Sequence, residues 1–571
     1  MQSIHARTIG PFLGWTALAY FSMEIALRPE MHTYSGGLGV LAGDTARSCA
    51  DLEIPIVFVT LISRQGYLRQ EISPHGDQIE HADPWTPEDF ASPLRAKVAV
   101  LIEGREVWVR PWLYVLTSAT GHGVPVLLLD TDVHENAADD RQITDRLYGG
   151  DDVYRLKQEI VLGIGGLRIL QALGFHIRLY HLNEGHAALL ALDLLRRYPR
   201  PDDQVLAGEL RYDVAAVREQ CVFTTHTPVE AGHDRFAYPL MERMLQGYIE
   251  TAQAQIVSGK DNLNMTRLAL TLSGFINGVA RRHAETTTRM FPGYKISAIS
   301  NGVHLPTWAH EAFSQLFSDH FPAWAHEPEA MVRFDQLPDD GVWKAHREAK
   351  SDLVRLVGER TGVALDPEAP ILGFARRMTA YKRPDLLFSD LERLRKINSQ
   401  HRFQLVVAGK AHPGDGPGKC LIRRIHDHIA ELQPDLRIAF LPNYDMTLAK
   451  TLVSGADIWL NTPEPPLEAS GTSGMKAALN GVLNLSVLDG WWVEAVIEGV
   501  TGWAIGQDGG SGPAQASPQD FYQKLENVVL PLYHHDRGRW IWMMKQAISK
   551  IACYFNTMRM MRRYAAEAYL R

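Results

Sequence analysis

Short apolar runs alternate with longer segments of mixed apolar and polar residues along most of the chain. IPIVFVTLI (54–62), VPVLLLD (124–130), IRLYHL (177–182) and CVFTTH (221–226) are too short for helices and rich in β-branched residues. Unbroken apolar runs of this length predict strands buried on both faces, as in parallel sheets. An earlier buried strand is predicted at 17–22 (ALAYFS). Between the runs, VYRLKQEIVLGIGGLRILQAL (153–173) has apolar residues at helical spacing.

The same rhythm returns later, in ILGFA (371–375), FQLVVAG (403–409), RIAFL (437–441), DIWLN (457–461) and LNLSV (483–487). Between about 305 and 370 it is lost, and the stretch from Phe334 to Val363 reads as helical. This places a boundary near 315–340 and divides the chain into units 1–325 and 326–545. The C-terminal stretch 540–570 reads as a long helix or two, and a C-terminal helix, 546–571, is expected to pack back on the first unit. Its Met and aromatic stripe reads as core packing. GQDGGSGPAQASP (506–518) has the composition of a surface loop. The fold class predicted is α/β, with two Rossmann-like lobes facing a cleft. Ligands in such sheets bind beyond the carboxyl ends of the strands, so the loops there hold the candidate chemistry.

Composition changes this picture little. At 571 residues the chain exceeds one core; 46% hydrophobic and 22% charged residues suit a soluble globular protein. The net charge of −8 gives no global attraction to nucleic acid. The four cysteines, at 49, 221, 420 and 553, form no CxxC pair, so neither a zinc knuckle nor a disulfide framework is indicated, and a reducing cytoplasm fits best. The apolar stretch near the start is interrupted by Glu24 and is too short for a membrane span.

After DIWLN comes EASGTSGMKAALNG (468–481). Small polar residues Ser470 to Ser473 suit a helix N-terminus, where free N–H groups and the helix dipole attract phosphate. Lys476, about one turn inside, could pair with that phosphate or form a Schiff base with an aldehyde that carries it. A surface loop with a solvated lysine is the plain alternative. YSGGLGVLAGD (34–44) is a second glycine cluster, read equally well as a phosphate turn or a tight turn. ARRMTAYKRP (375–384) places Arg376, Arg377, Lys382 and Arg383 at a strand end, a candidate oxyanion clamp. His226, with Asn183, Glu184 and His186, and Asn301 with Trp308 lie at other strand ends. No HExxH or other metal set is present, so no metal is expected.

Together GGLGVLAGD, RLKQE (155–159), TTHTPVEAGHDRF, SNGVHLPTW, YKRP, AGKAHPGDGPGK (408–419), LPNYDM and EASGTSGMKAALNG resemble the α-glucan phosphorylases, in a short form. These are glycogen, starch and maltodextrin phosphorylases that use pyridoxal 5′-phosphate. The likeness runs from about Ala19 to Trp503. It implies a fold of the GT-B glycosyltransferase type and reversible phosphorolysis of terminal α-1,4 bonds, releasing glucose 1-phosphate with retention. It implies that Lys476 tethers the cofactor, with Thr472, Gly471, Gly37 and Arg376 at its phosphate and Tyr444 and Trp308 along it. Arg377 and Lys382 would hold the substrate phosphate; Glu468, Ser470, His226 and Asn301 would hold the glucosyl unit. Lys476, Arg377, Lys382 and His226 form the implied catalytic set. The implied partners are an α-1,4-glucan and inorganic phosphate, with no nucleic acid or membrane; family members are commonly homodimers. Gly474, Thr379, Trp491 and Trp492 depart from the family's usual residues. Two alternatives stand beside this reading: a nucleotide-sugar glucosyltransferase of the same fold, and a non-catalytic glucan-binding protein.

Overall fold

A computed structural model of the chain describes residues 8–229, 232–506 and 517–570. The loop expected at 506–518 falls almost entirely outside them.

Two parallel sheets organise the molecule. The first contains β1 (Leu18–Ser22), β2 (Ile56–Leu61), β3 (Gly123–Asp130), β4 (Leu179–Asn183), β5 (Cys221–Thr224), β6 (Phe275–Gly278) and β7 (Ser297–Ala298). Their spatial order is β7-β6-β5-β4-β1-β2-β3. Beyond β3 the sheet continues antiparallel through a long strand, Arg105–Thr117, and short partners at Ser92–Pro93 and Val98–Ile102. Every residue of β1, β2, β4, β5 and β6 is buried, as their unbroken apolar composition requires.

The second sheet holds β8 (Ile371–Ala375), β9 (Gln404–Ala408), β10 (Arg437–Leu441), β11 (Ile458–Asn461), β12 (Leu483–Val487) and β13 (Gly502–Ile505). All adjacent pairs are parallel, in the order β10-β9-β8-β11-β12-β13. This is the 3-2-1-4-5-6 arrangement, whose order reverses between β8 and β11. The corresponding reversal in the first sheet lies between β1 and β4. The loops that leave these four strands carry Glu24 and Gly36–Gly37, Glu184, Arg376–Lys382 and Glu468–Lys476.

The strands not predicted are instructive. Arg105–Thr117 carries Pro111 in its middle, a residue that argues against a strand when read locally. It is tolerated because the strand lies near the antiparallel edge. β6, β7 and β13 are only two to four residues long. The segment predicted helical at 153–173 is helical throughout, widened at Val161–Gly165 into a π-helical turn.

The C-terminal region is two helical stretches rather than one continuous helix. Arg537–Ala552 packs in the apolar cluster of the second sheet. After a break the chain resumes at Thr557, and Met560, Met561, Tyr564, Ala568 and Tyr569 join a cluster of the first sheet. Polar contacts fix it there. The Thr557 hydroxyl lies 2.6 Å from Ser48 Oγ, and His181 lies between Tyr569 Oη at 2.7 Å and Thr224 Oγ1 at 2.8 Å.

Candidate functional site

Lys476 is the fifth residue of the helix Thr472–Leu479, which begins just beyond β11. Gly471 precedes it in the left-handed region at φ +92°, and no side chain caps the first turn. The amine is buried and lies 3.6 Å from the centre of the Trp308 ring. Burial lowers the Lys476 pKa to about 8, with Asp44 opposing the shift and Arg47 adding to it. Trp308 is itself anchored: its Nε1 donates to Asp44 Oδ2 at 2.7 Å, which also accepts from His304 N at 3.2 Å. Asn480 ties the far end of the helix to the same segment. Its Nδ2 donates to Trp308 O at 3.0 Å and Lys476 O at 2.9 Å, and its Oδ1 accepts from His310 N at 2.8 Å.

The basic cluster leaves the end of β8. Arg376 Nη2 and Lys382 Nζ each lie 2.6 Å from Glu468 Oε2. Burial alone would raise the Glu468 pKa, but Lys382 and Arg376 outweigh it and hold the carboxyl at about 2. Glu468 is therefore a carboxylate at any working pH. Arg376 Nε and Nη1 and, two residues beyond Glu468, Ser470 Oγ are buried without a hydrogen-bond partner. Buried polar atoms are usually satisfied, so this concentration of orphans marks a place for a polar ligand. Arg377 is exposed and reaches toward the first sheet: a Cβ at Gly36 would stand 3.4 Å from its Nη2. Gly37, at the N-terminus of the helix Gly37–Asp51, has open space where a side chain would begin.

Glu24 organises that glycine turn. Its Oε2 accepts from Ser35 N at 2.6 Å and Gly36 N at 3.2 Å, and its Oε1 accepts from Tyr148 Oη at 2.9 Å. Tyr444 follows Asn443, which exchanges hydrogen bonds with Gln70 of the short strand Arg69–Ile72 at 2.9 and 3.1 Å.

The structure thus gathers Lys476, Trp308, Gly471 and Thr472 around one helix turn, and Arg376, Lys382 and Glu468 into one ion cluster. It places His226 and Asn301 apart from these, at strand ends of the first sheet. His226 Nε2 meets Asn183 Oδ1 at 2.6 Å, and its backbone N–H donates to the Glu184 carboxylate. Burial, with help from His283, His181 and His186, lowers the His226 pKa to about 3, so the ring is neutral. Burial raises the Glu184 pKa to about 7 at a strained φ of +70°. Asn301 is held through its backbone, whose carbonyl accepts from Arg559 Nη2 at 3.0 Å, while its side-chain Oδ1 is buried without a partner. Asp44, Glu24, Asn480 and Asp489 escaped the sequence reading as site residues. Asp44 and Asn480 had a signal, as the last residue of GGLGVLAGD and the second-last of EASGTSGMKAALNG.

Among the described residues no helix is long and apolar enough to cross a membrane, and no cluster of three or more His, Cys, Asp or Glu is placed to hold a metal.

A buried amine over an indole, a helix start without a side-chain cap and arginine nitrogens without partners fit an aldehyde bearing a phosphate. A family model described as carbohydrate phosphorylase matches residues 224–502. The chain belongs to the carbohydrate phosphorylase family. Maltodextrin phosphorylase of Thermococcus litoralis is 38% identical, the match covering 96% of this chain and 70% of that protein. Glycogen phosphorylase of Mycobacterium tuberculosis is 36% identical over 97% of this chain and 71% of its own length. Glycogen phosphorylase of Aquifex aeolicus is 34% identical, over 97% and 86%.

Proposed function

We propose that this chain is a cytoplasmic α-glucan phosphorylase that transfers the terminal α-1,4-linked glucosyl unit of a glucan to inorganic phosphate, giving glucose 1-phosphate with retention. In this reading units 1–325 and 326–545 face each other across a cleft at the two strand-order reversals, with 546–571 returning to the first unit. The observation that carries it is the buried Lys476 amine against Trp308, on the same strand-to-helix segment as Glu468, whose carboxylate pairs with Lys382 and with an Arg376 that keeps two orphaned nitrogens.

Pyridoxal 5′-phosphate, when bound, would supply a second anion whose second pKa of about 6 suits proton exchange near neutral pH. Lys476 is the residue to tether it, because a pKa of about 8 leaves a useful fraction of neutral, nucleophilic amine. Gly471 and Thr472 would offer the backbone N–H groups of an uncapped helix start to its phosphate, Gly37 open space where a side chain would begin, and Arg376 its unpaired Nε and Nη1. Trp308 and Tyr444 wall the space.

Arg377 and Lys382 bind the substrate phosphate, one as a planar fork and the other as a point charge. Two phosphates approach one another only where cations offset their repulsion, which is the electrostatic task of Arg376, Arg377 and Lys382. Glu468 and Ser470 orient the glucosyl hydroxyls. Neutral His226 and Asn301 do so from the other side, where a neutral imidazole can donate or accept without adding charge. The positive charge that develops at the sugar's anomeric carbon is balanced by the adjacent anions. The test is glucose 1-phosphate release from a maltooligosaccharide series and from glycogen, with inorganic phosphate as sole co-substrate. Release that needs both phosphate and an α-1,4-glucan supports the reading. Transfer only from a nucleotide sugar, or glucan binding without turnover, overturns it.

A further inference from the structure

Beyond β12 the chain turns through Leu488, Asp489, Gly490 and Trp491 before the short helix Trp492–Ala495. Three contacts fasten this turn to the segment that carries Glu468 and Ser470. Asp489 Oδ2 accepts from Glu468 N at 2.8 Å. Trp491 N donates to Ser470 O at 2.9 Å. Gly490 sits at φ +53° so close to the segment that a Cβ there would stand 2.4 Å from Ser470 O. The other carboxylate oxygen of Asp489 accepts from Gly490 N at 2.9 Å, which stiffens the turn itself.

Asp489 is 1% exposed. A turn that only needed an acceptor could use a neutral side chain, without the desolvation that a buried carboxylate entails. Burial pushes the Asp489 pKa up to about 7; the two backbone N–H groups and Arg282 oppose the shift, and Glu468 adds to it. The group is thus held in an unfavourable environment by its place in the site. From the backbone that Asp489 anchors, the Glu468 side chain departs toward Arg376 and Lys382. Ser470, two residues on, is held through its carbonyl.

We propose that Asp489 is a positioning residue that sets where Glu468 and Ser470 stand against the glucosyl unit. It acts through Glu468 and touches neither substrate nor cofactor. The inference rests on the assignment of Glu468 and Ser470 to sugar recognition.

The experiment uses the holoenzyme as wild type, Asp489→Asn, Glu468→Gln and the double variant. Each is measured for the glucose 1-phosphate dissociation constant by calorimetry and for kcat/KM in phosphorolysis, with bound pyridoxal absorbance and denaturation midpoint as controls. Asn keeps one acceptor but turns a donor toward one of the two N–H groups. Asp489→Asn should keep the cofactor and weaken glucose 1-phosphate binding about 10-fold or more, the scale of one charge-assisted hydrogen bond. On the Glu468→Gln background the same change should add less than about 2-fold, because coupled residues are not additive. Equal losses on both backgrounds, or no loss from Asp489→Asn, would overturn the proposal. If Asp489→Asn does not fold, Gly490→Ala takes its place, since it displaces Ser470 O without altering the carboxylate. Wild-type holoenzyme that neither binds glucose 1-phosphate nor turns over would instead sink the functional reading itself.

Discussion

The Lys476 environment allows a quantitative test. An ordinary lysine titrates at 10.5, whereas burial brings Lys476 to about 8. At pH 7.5 that leaves about a quarter of the amine neutral, against about 0.1% for an ordinary lysine, an advantage of about 240-fold. The perturbation is Trp308→Ala, which removes the ring 3.6 Å from Nζ and admits water. The pKa should then climb back toward 10.5 and the neutral fraction at pH 7.5 should fall by about 100-fold. The assay is the rate at which cofactor-stripped protein takes up pyridoxal phosphate covalently, quenched with borohydride and read by mass. In wild type the rate should rise with pH and level off above about 8. In Trp308→Ala it should start lower and still be rising past pH 9. A wild-type rate that climbs tenfold per pH unit beyond 9 would refute the claim that burial prepares this amine.

Arg377→Ala should retain the cofactor and raise KM for phosphate about 10-fold or more, read from initial rates against phosphate concentration; an unchanged KM would remove Arg377 from that role. Gly474→Asn should destabilise the protein by about 1–3 kcal/mol in denaturant titration. A Cβ there would meet Asn484 Oδ1 at 2.4 Å and Trp491 Cζ2 at 2.7 Å, so Trp491→Ala should relieve part of the loss. Asp457 is buried between His346 Nε2 at 2.9 Å and Lys350 Nζ at 2.8 Å, and its carboxyl is held well below the usual range against the cost of burial, chiefly by Lys350. Asp457→Asn should cost about 3–5 kcal/mol at pH 7 by leaving Lys350 without its counter-charge. Because the carboxyl pKa is depressed, that contribution is present above the ordinary value of 3.8 and lost as pH falls below it. The gap between wild type and variant should therefore close in acid.

The parallel strands of both sheets were legible because burial on both faces demands continuous apolar runs, as at 56–61 and 404–408. The helix start that carries Lys476 was legible because the small residues before it and the strand at 458–461 are all local signals. The long antiparallel strand was not, since its Pro111 is acceptable only in the context of its neighbours. Nor was the pairing of Glu468 with Arg376, which lies 92 positions away, or the hold of Asp44 on Trp308, 264 positions away. Such partners follow from how the sheets bring strand ends together. The same applies to Asp489, whose partner Glu468 stands 21 positions before it across a helix and a strand. Read alone, LDG signals only a turn.

The central claim is that the Lys476 amine carries pyridoxal phosphate. Protein isolated with its vitamin supply intact would be reduced with borohydride, digested and mapped by mass. The account predicts a phosphopyridoxyl addition on the peptide containing Lys476 and on no other. An unmodified Lys476 in protein that still releases glucose 1-phosphate from glucan and phosphate would contradict it.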